Sequence, residues 1–476
     1  MDSSVNTVER KKFRTLAIYL SFFVLGVCAG LFGPALLDFQ IMLNTDTQRI
    51  SIGISFHAFG YLVGSFLCSV LYDRVSNEFW FAVANLGIGA TIAAVPASPN
   101  LGLFIFFNTL SGIFMGAVDS GGQSYIVYVW KGSKLVKPLL QTAHAVWSLG
   151  AAIGPFIAKP FLLKELPKDI NAYEIGDNTT SETVTKGFNA SNEDIRVHYA
   201  GIIAGIIAVP SILMFTILFF LLKSTIFTKA TSTVDDPSNR ECNKNIKMLN
   251  KKKRIAFLVI LVMFYFWLLV TEDTPGHFLA TFVIKGLHWD KSDGPLITSV
   301  LWGAHSVGRF LAVPISIFLR PKTMIIITTV LTFLSMLTSA ILCKYHPMVM
   351  WISTAVFGLG MSSTYASVVL RASEVIEMNG IAAGILSIGS SLGNIIGPSV
   401  VGVLFDSVSP FSVLYASLLG ALMCILMYIV FEVMVRYFEK SKTLATPNVE
   451  KILIEEPQNK ATEDPNETNS ILLTKM

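Results

Sequence analysis

Charge is scarce in this chain. Asp, Glu, Lys and Arg make up 14% of its 476 residues, against 53% hydrophobic residues, whereas a soluble globular domain carries about a quarter charged. So little charge cannot wet the surface of a soluble protein of this length, and that class is excluded. Cysteine is sparse as well. Cys28, Cys68, Cys242, Cys343 and Cys424 are odd in number, mostly inside apolar runs, and spaced for neither a metal nor a disulfide framework. A stapled secreted scaffold and a zinc module are thereby excluded, and the thiols read as small packing groups. The polar segments hold no nucleophile with its base, no metal-ligand spacing and no phosphate loop, and they are too short for a catalytic domain. Neither an enzyme nor a bound cofactor is expected. The formal net charge is only +4, and its basic residues gather in loops on one side of the expected membrane, which is a topology signal and not a nucleic-acid footprint.

What the chain has in abundance is long apolar runs. Runs able to cross about 30 Å of hydrocarbon at about 1.5 Å per residue fall near 16–40, 50–72, 80–98, 101–128, 138–163 and 199–222, and again near 255–284, 294–319, 323–343, 347–370, 380–405 and 410–435. The expectation is an all-α membrane protein, twelve transmembrane helices in two pseudo-symmetric six-helix bundles. Its segments are an N-terminal bundle (1–222), a basic linker (223–254), a C-terminal bundle (255–435) and a polar tail (436–476) expected to be disordered. The first run is too long for a signal-peptide core and is read as a retained span. An even number of spans puts both termini on one side. Arg10, Lys11, Lys12 and Arg14 before span one, Lys131, Lys134 and Lys137 after span four, and Arg436, Lys440 and Lys442 after span twelve make that side cytosolic. The linker ends in Lys251-Lys252-Lys253-Arg254, a topology anchor and headgroup contact. The loop from about 164 to 198 then faces outside, and it carries the glycosylation sequons of Asn178 and Asn189. A monomer in the plasma membrane is expected.

The chain is internally duplicated. Ser148-Leu149-Gly150 and Ile153-Gly154-Pro155 in span five recur as Ser391-Leu392-Gly393 and Ile396-Gly397-Pro398 in span eleven. Val63-Gly64-Ser65-Phe66-Leu67 in span two recurs as Val307-Gly308-Arg309-Phe310-Leu311 in span eight, and Gly33-Pro34 faces Pro275-Gly276. Two related bundles rocking about a central site are how secondary transporters are built.

A twinned scaffold matches in its packing residues, so unmatched polar residues inside the spans carry the most weight. Asp119 falls opposite Ser362 at the repeat offset, so its carboxylate belongs to one half alone. Ser120-Gly121-Gly122 follow it, and paired glycines are expected to loosen the helix and free carbonyls beside the acid, a hard-oxygen setting for Na⁺ or a proton site. Glu272-Asp273 precede Thr274-Pro275-Gly276, again acid beside a bend signal. Asp119 and Glu272 are the ion-coupling candidates, with Asp119 the candidate Na⁺ ligand. Gln141, His144 and Trp147-Ser148 share one face of span five, and Ser387, Ser390-Ser391 and Asn394 share one face of span eleven. Such stripes either glue helices together or bind a neutral hydroxylated solute, whose oxygens amides and imidazole serve and whose C–H face an indole covers. Trp302, His305 and Arg309 are spaced about a turn apart in span eight. Arg309 either pairs with Asp119 or Glu272 or snorkels along its span. His57 reads as a packing histidine.

These segments together resemble the major facilitator superfamily, and within it the sodium-dependent glucose transporter group related to the fucose and glucose-galactose permeases. The resemblance rests on Gly33-Pro34-Ala35-Leu36-Leu37-Asp38, Asp119-Ser120-Gly121-Gly122-Gln123, Gln141 with His144, Glu272 and Gly276 with Thr281-Phe282, and Trp302-Gly303 with Gly308-Arg309. It implies Na⁺-coupled uptake of a hexose, with Asp119 in the position of the acid that couples ion and sugar. Gln123, Gln141, His144 and Asn394 would then hydrogen-bond the solute, Trp147 or Trp302 would stack on it, and Asp73, Arg74 and Arg309 would belong to the gates. The loop signature after span two is partial: Asp73-Arg74 is kept, but Ser69 and Val75-Ser76-Asn77 replace the usual glycines and basic residues. Ser120 and Gln123 stand where Thr and Asn are expected in vertebrate members. The same scaffold could run on protons, carry sugars or urea without coupling, or sense a solute without moving it.

Overall fold

The computed structural model describes residues 2–71, 74–133, 135–165, 196–222, 251–375 and 380–445. Asp73, Lys134, the sequons of Asn178 and Asn189, the linker from 223 to 250 and the tail from 446 lie outside them. The chain forms two compact units, 1–429 and 430–476, and everything below concerns the first.

The described elements are helical throughout. They run α1 (Asp2–Met42), α2 (Thr47–Leu71), α3 (Asn77–Ala94), α4 (Leu101–Val129), α5 (Val136–Ala158), α6 (Val197–Ile207), α7 (Val209–Leu221), α8 (Lys251–Leu287), α9 (Asp293–Phe318), α10 (Pro321–Leu342), α11 (Pro347–Met361), α12 (Thr364–Ser373), α13 (Gly380–Ser407) and α14 (Ser412–Ala445). With α6–α7 and α11–α12 each forming one interrupted span, twelve spans result. Eleven of them are long and apolar enough to cross a membrane by composition. The remaining one is α5, whose Gln141, Thr142, His144 and Ser148 dilute its apolar character because that face is turned inward. Helices are the only open-chain solution here, since lipid supplies no partner for a free backbone group.

The duplication is visible in the packing. Within the N half α1 lies on α5 and α2 on α4; within the C half their repeat mates do the same, α8 on α13 and α9 on α11. Between the halves α5 packs on α9 and α2 on α13, and exchanging the halves maps each of these seams onto the other. Glycine sets the seams inside each half. A Cβ on Gly30 would collide with the carbonyl of Ala151, one on Gly64 with that of Ile113, and one on Gly116 with that of Tyr61. In the C half, Gly393 stands in the same relation to the carbonyl of Phe266. In lipid, helices associate through such close backbone approach, because burying apolar side chains gains nothing there. Gly30→Leu is therefore expected to pry α1 from α5 at a cost of about 1–3 kcal/mol, read as a lowered Tm of the protein in detergent.

Two helix interruptions expected from sequence do not occur. α4 runs unbroken through Gly121-Gly122 and α8 through Pro275-Gly276. These glycines serve packing instead: a Cβ on Gly122 would meet Phe22 Cε2 at 2.7 Å, and one on Gly276 would meet Trp302 Cζ2 at 2.8 Å. The break lies in the other half, at Ser362-Ser363 between α11 and α12, the repeat mate of the Asp119 region. Hydroxyls close that gap: Ser362 Oγ donates to the Leu359 carbonyl at 2.7 Å and Thr364 Oγ1 to that of Gly360 at 3.2 Å.

Candidate solute and ion site

Asp119 projects from α4 and is half-buried. Gln123, one turn on, donates from Nε2 to Asp119 Oδ1 at 3.2 Å, and the Tyr61 hydroxyl of α2 is a second hydrogen-bonding neighbour. Because α4 does not open at Gly121-Gly122, its carbonyls are occupied in the helix. A cation on Asp119 would draw on the carboxylate and on the Gln123 and Tyr61 side chains beside it. Among the described residues, no group of three or more His, Cys, Asp or Glu side chains is placed to hold a metal ion.

Glu272 projects from α8. His305 of α9 meets it at 3.4 Å, Nε2 to Oε1, and turns its other nitrogen, Nδ1, to Ser148 Oγ of α5 at 3.2 Å. Ser148 also donates to the His144 carbonyl at 3.0 Å. Ser148, His305 and Glu272 thus line up across the α5–α9 seam, the Ser148 contact being a hydrogen bond and the Glu272 contact an approach without hydrogen-bond geometry. With its one proton on the His144 carbonyl, Ser148 Oγ accepts from a protonated Nδ1, and it could donate to a bare Nδ1 only by releasing that carbonyl.

Arg309 lies one turn beyond His305. Its guanidinium carbon is 5.9 Å from the Trp147 ring centroid, and its Nε is buried with no hydrogen-bond partner among the described residues. It is within electrostatic reach of Asp119, Glu272 and Tyr365. Of the two roles open at the sequence level, the buried Nε favours an inward position over snorkelling, and the charges of Asp119 and Glu272 both act on the guanidinium.

An aromatic corner closes one side. Trp147 and Trp302 meet edge to face with centroids 5.5 Å apart, and Trp302 meets His305 at 5.6 Å. Trp302 is 5% exposed, and its buried Nε1 donor has no hydrogen-bond partner among the described residues. His144 packs edge-on against Phe22 at 5.7 Å and lies in the field of Arg309. Asn394 is half-buried on α13, its buried Oδ1 without a hydrogen-bond partner among the described residues. Gln141 is half-buried one turn before His144.

Asp119, Gln123, Glu272, His144, Trp147, Trp302 and Arg309 are thus joined by contacts or shared fields, whereas Gln141 and Asn394 carry no described contact to the group. Arg74 is exposed and far in sequence from this cluster. His57 is a packing residue with Nδ1 at 3.1 Å from the Asn108 carbonyl. Sequence reasoning did not single out Tyr61, Tyr365 or the role of His305. Tyr61 sits in the apolar stretch Phe59-Gly60-Tyr61-Leu62-Val63 with nothing beside it to mark it, and Tyr365 follows Ser362-Ser363-Thr364, a polar run that does not single out the ring. His305 was visible as a span-eight polar residue, but its partners Ser148 and Glu272 were not.

Comparison with known proteins agrees with this architecture. The profile of the Major Facilitator Superfamily matches residues 18–398 and 274–460. The chain is 25% identical over 395 residues to the protein named sodium-dependent glucose transporter 1A of Mus musculus, covering 81% of this chain and 88% of the relative. It is 24% identical over 483 residues to major facilitator superfamily domain-containing protein 4A of Mus musculus, covering 90% and 93%. In structure it is similar to the xylose transporter XylE from E. coli in its inward open conformation, with TM-score 0.62, 14% identity, and coverage of 87% of this chain and 94% of that one.

Proposed function

Because the chain belongs to the major facilitator superfamily, and is a membrane transporter and not an enzyme, we propose that it moves glucose or a similar neutral hexose or polyol together with Na⁺ by alternating access. One observation carries this reading: the unmatched acids of the two halves, Asp119 and Glu272, share the field of a single guanidinium, Arg309. A site that balances one fixed cation against acids from both halves favours a neutral solute and a small cation over an anion, because an uncompensated charge is costly in a desolvated interior. The names of the curated relatives support the same choice.

In this mechanism Na⁺ binds at Asp119, held by Gln123 and Tyr61. Glu272, positioned by His305, responds to the ion or to the sugar. His144, Gln141, Gln123 and Asn394 serve hydroxyls, and Trp147 or Trp302 covers the apolar sugar face. Coupling requires that the ion bind the outward-open state in preference and raise sugar affinity there; an ion indifferent to the two states would do no transport work. The reading places the protein in the plasma membrane as a monomer, both termini cytosolic, with glycans on Asn178 and Asn189.

A second reading, a proton in place of Na⁺, is favoured by the Glu272–His305 approach at 3.4 Å, since that pair can hold and release a proton. Radiolabelled hexose uptake into proteoliposomes, run with Na⁺, with choline in its place and across a pH step, separates the two. Na⁺ coupling predicts uptake that collapses in choline at every pH, and proton coupling predicts uptake that follows the pH step in choline. Saturable uptake indifferent to both would leave an uncoupled facilitator.

A further inference from the structure

Away from the central cluster, four polar ties join the two halves toward one end of the bundle. Lys291, in the connection from α8 to α9, donates from Nζ to Asp38 Oδ1 of α1 at 2.7 Å. Lys285 at the end of α8 donates to Gln40 Oε1 at 2.9 Å. The Gln48 backbone N–H donates to Asp406 Oδ2 of α13 at 2.7 Å. About two helical turns further along the same seam, Ser55 Oγ lies 2.6 Å from Ser399 Oγ.

The first tie differs from the others in burial. The side chains of Lys291 and Asp38 are only 4% and 1% exposed. Asp38 Oδ1 also accepts from the Leu163 backbone N–H at 3.0 Å, while the buried Oδ2 has no hydrogen-bond partner among the described residues, so the single described cation on this acid comes from the opposite half. Burial pushes the Lys291 ammonium below its ordinary pKa, and the Asp38 carboxylate beside it works the other way. Each ion is therefore tolerated where it sits only because the other is there.

Any transport cycle that opens this end must separate α1 from the α8–α9 connection and hydrate both ions. The geometry points to the Asp38–Lys291 pair as a latch that holds this end of the transport path closed and sets the balance between the closed and open arrangements. The physical reason is an asymmetry between the two states. In the closed state a lone buried charge is uncompensated and strongly unfavourable, whereas in the open state the same charge is in water and its missing partner costs little. Neutralising one partner therefore penalises the closed state alone. Neutralising both removes the charge and the penalty together.

The latch rests on alternating access but not on the identity of solute or ion, so its test need not involve uptake. Ser399→Cys places a thiol on the cross-half seam at this end, and its rate of reaction with a polar maleimide in detergent reports opening. Asp38→Asn and Lys291→Gln are each expected to speed labelling by about 100-fold or more, and the double variant to return it to within a few-fold of the parent. Single variants that label at the parental rate, or a double variant as fast as the singles, would overturn the latch. Should the single variants fail to fold, Asp38→Cys with Lys291→Cys, joined by a short thiol crosslinker, gives a second reading. Crosslinking is expected to stop uptake and reduction to restore it, and a crosslinked protein that transports as before would equally refute the proposal. Wild-type protein that takes up no hexose while the labelling pattern holds would remove the sugar assignment and leave the latch standing.

Discussion

Asp119→Asn is expected to abolish accumulation of hexose against its gradient while leaving exchange of internal for external sugar in place. A tenfold inward Na⁺ gradient supplies about 1.4 kcal/mol per ion, and a membrane potential of about −60 mV adds about 1.4 kcal/mol for one charge. One ion per sugar thus supports accumulation of about 100-fold, and a variant that no longer couples falls to about onefold. Asparagine keeps the size of the side chain and an acceptor for Gln123, so the helix and its packing stay intact and only the charge is withdrawn. Steady-state accumulation and counterflow, measured on the same vesicles, check this. Accumulation that survives the substitution would assign Asp119 a structural role and move coupling to Glu272.

Arg309→Gln is expected to be the most damaging substitution in the site, because it removes the cation whose field reaches both Asp119 and Glu272. Withdrawing one member of a buried ionic group typically costs about 3–5 kcal/mol. The expected result is a large fall in Tm in detergent and in the amount of protein reaching the membrane. Adding Glu272→Gln is expected to recover a substantial part of that loss without recovering concentrative uptake. The rescue is specific to the electrostatic arrangement: if Arg309 mattered only for packing over Trp147, neutralising a carboxylate on another helix would recover nothing.

Much of this was legible in the sequence because it is written in short-range signals. The repeat of Ser148-Leu149-Gly150 as Ser391-Leu392-Gly393 gave the duplication, and the absence of a mate for Asp119 marked the acid. Glu272 announced itself as a carboxylate in an otherwise apolar run. What escaped were relations between distant positions. Nothing near His305 shows that it reaches Ser148 in the other half, and Lys291, in a short polar connection, looks like any surface lysine until Asp38 is found against it. The helix break was misplaced for a different reason. Gly121-Gly122 permits a bend, but the same absence of side chains also permits Phe22 and Cys68 to press against α4, and packing prevailed. Ser362-Ser363 bends because nearby hydroxyls satisfy the carbonyls that the break releases.

The glycine seams inside each half have a bearing on how the molecule can move. With Gly30, Gly64, Gly116 and Gly393 pressed to carbonyls, neither α1 and α5 nor α2 and α4 can slide past one another without steric collision, so each half travels as a block. Displacement is left to the junctions between the halves, α5–α9, α2–α13 and the contacts of α1 with α8 and α9, where hydroxyl, imidazole and carboxylate groups trade partners at little expense. Amide deuterium uptake should accordingly respond to solute along these junctions and stay silent in the glycine-lined interiors of the blocks.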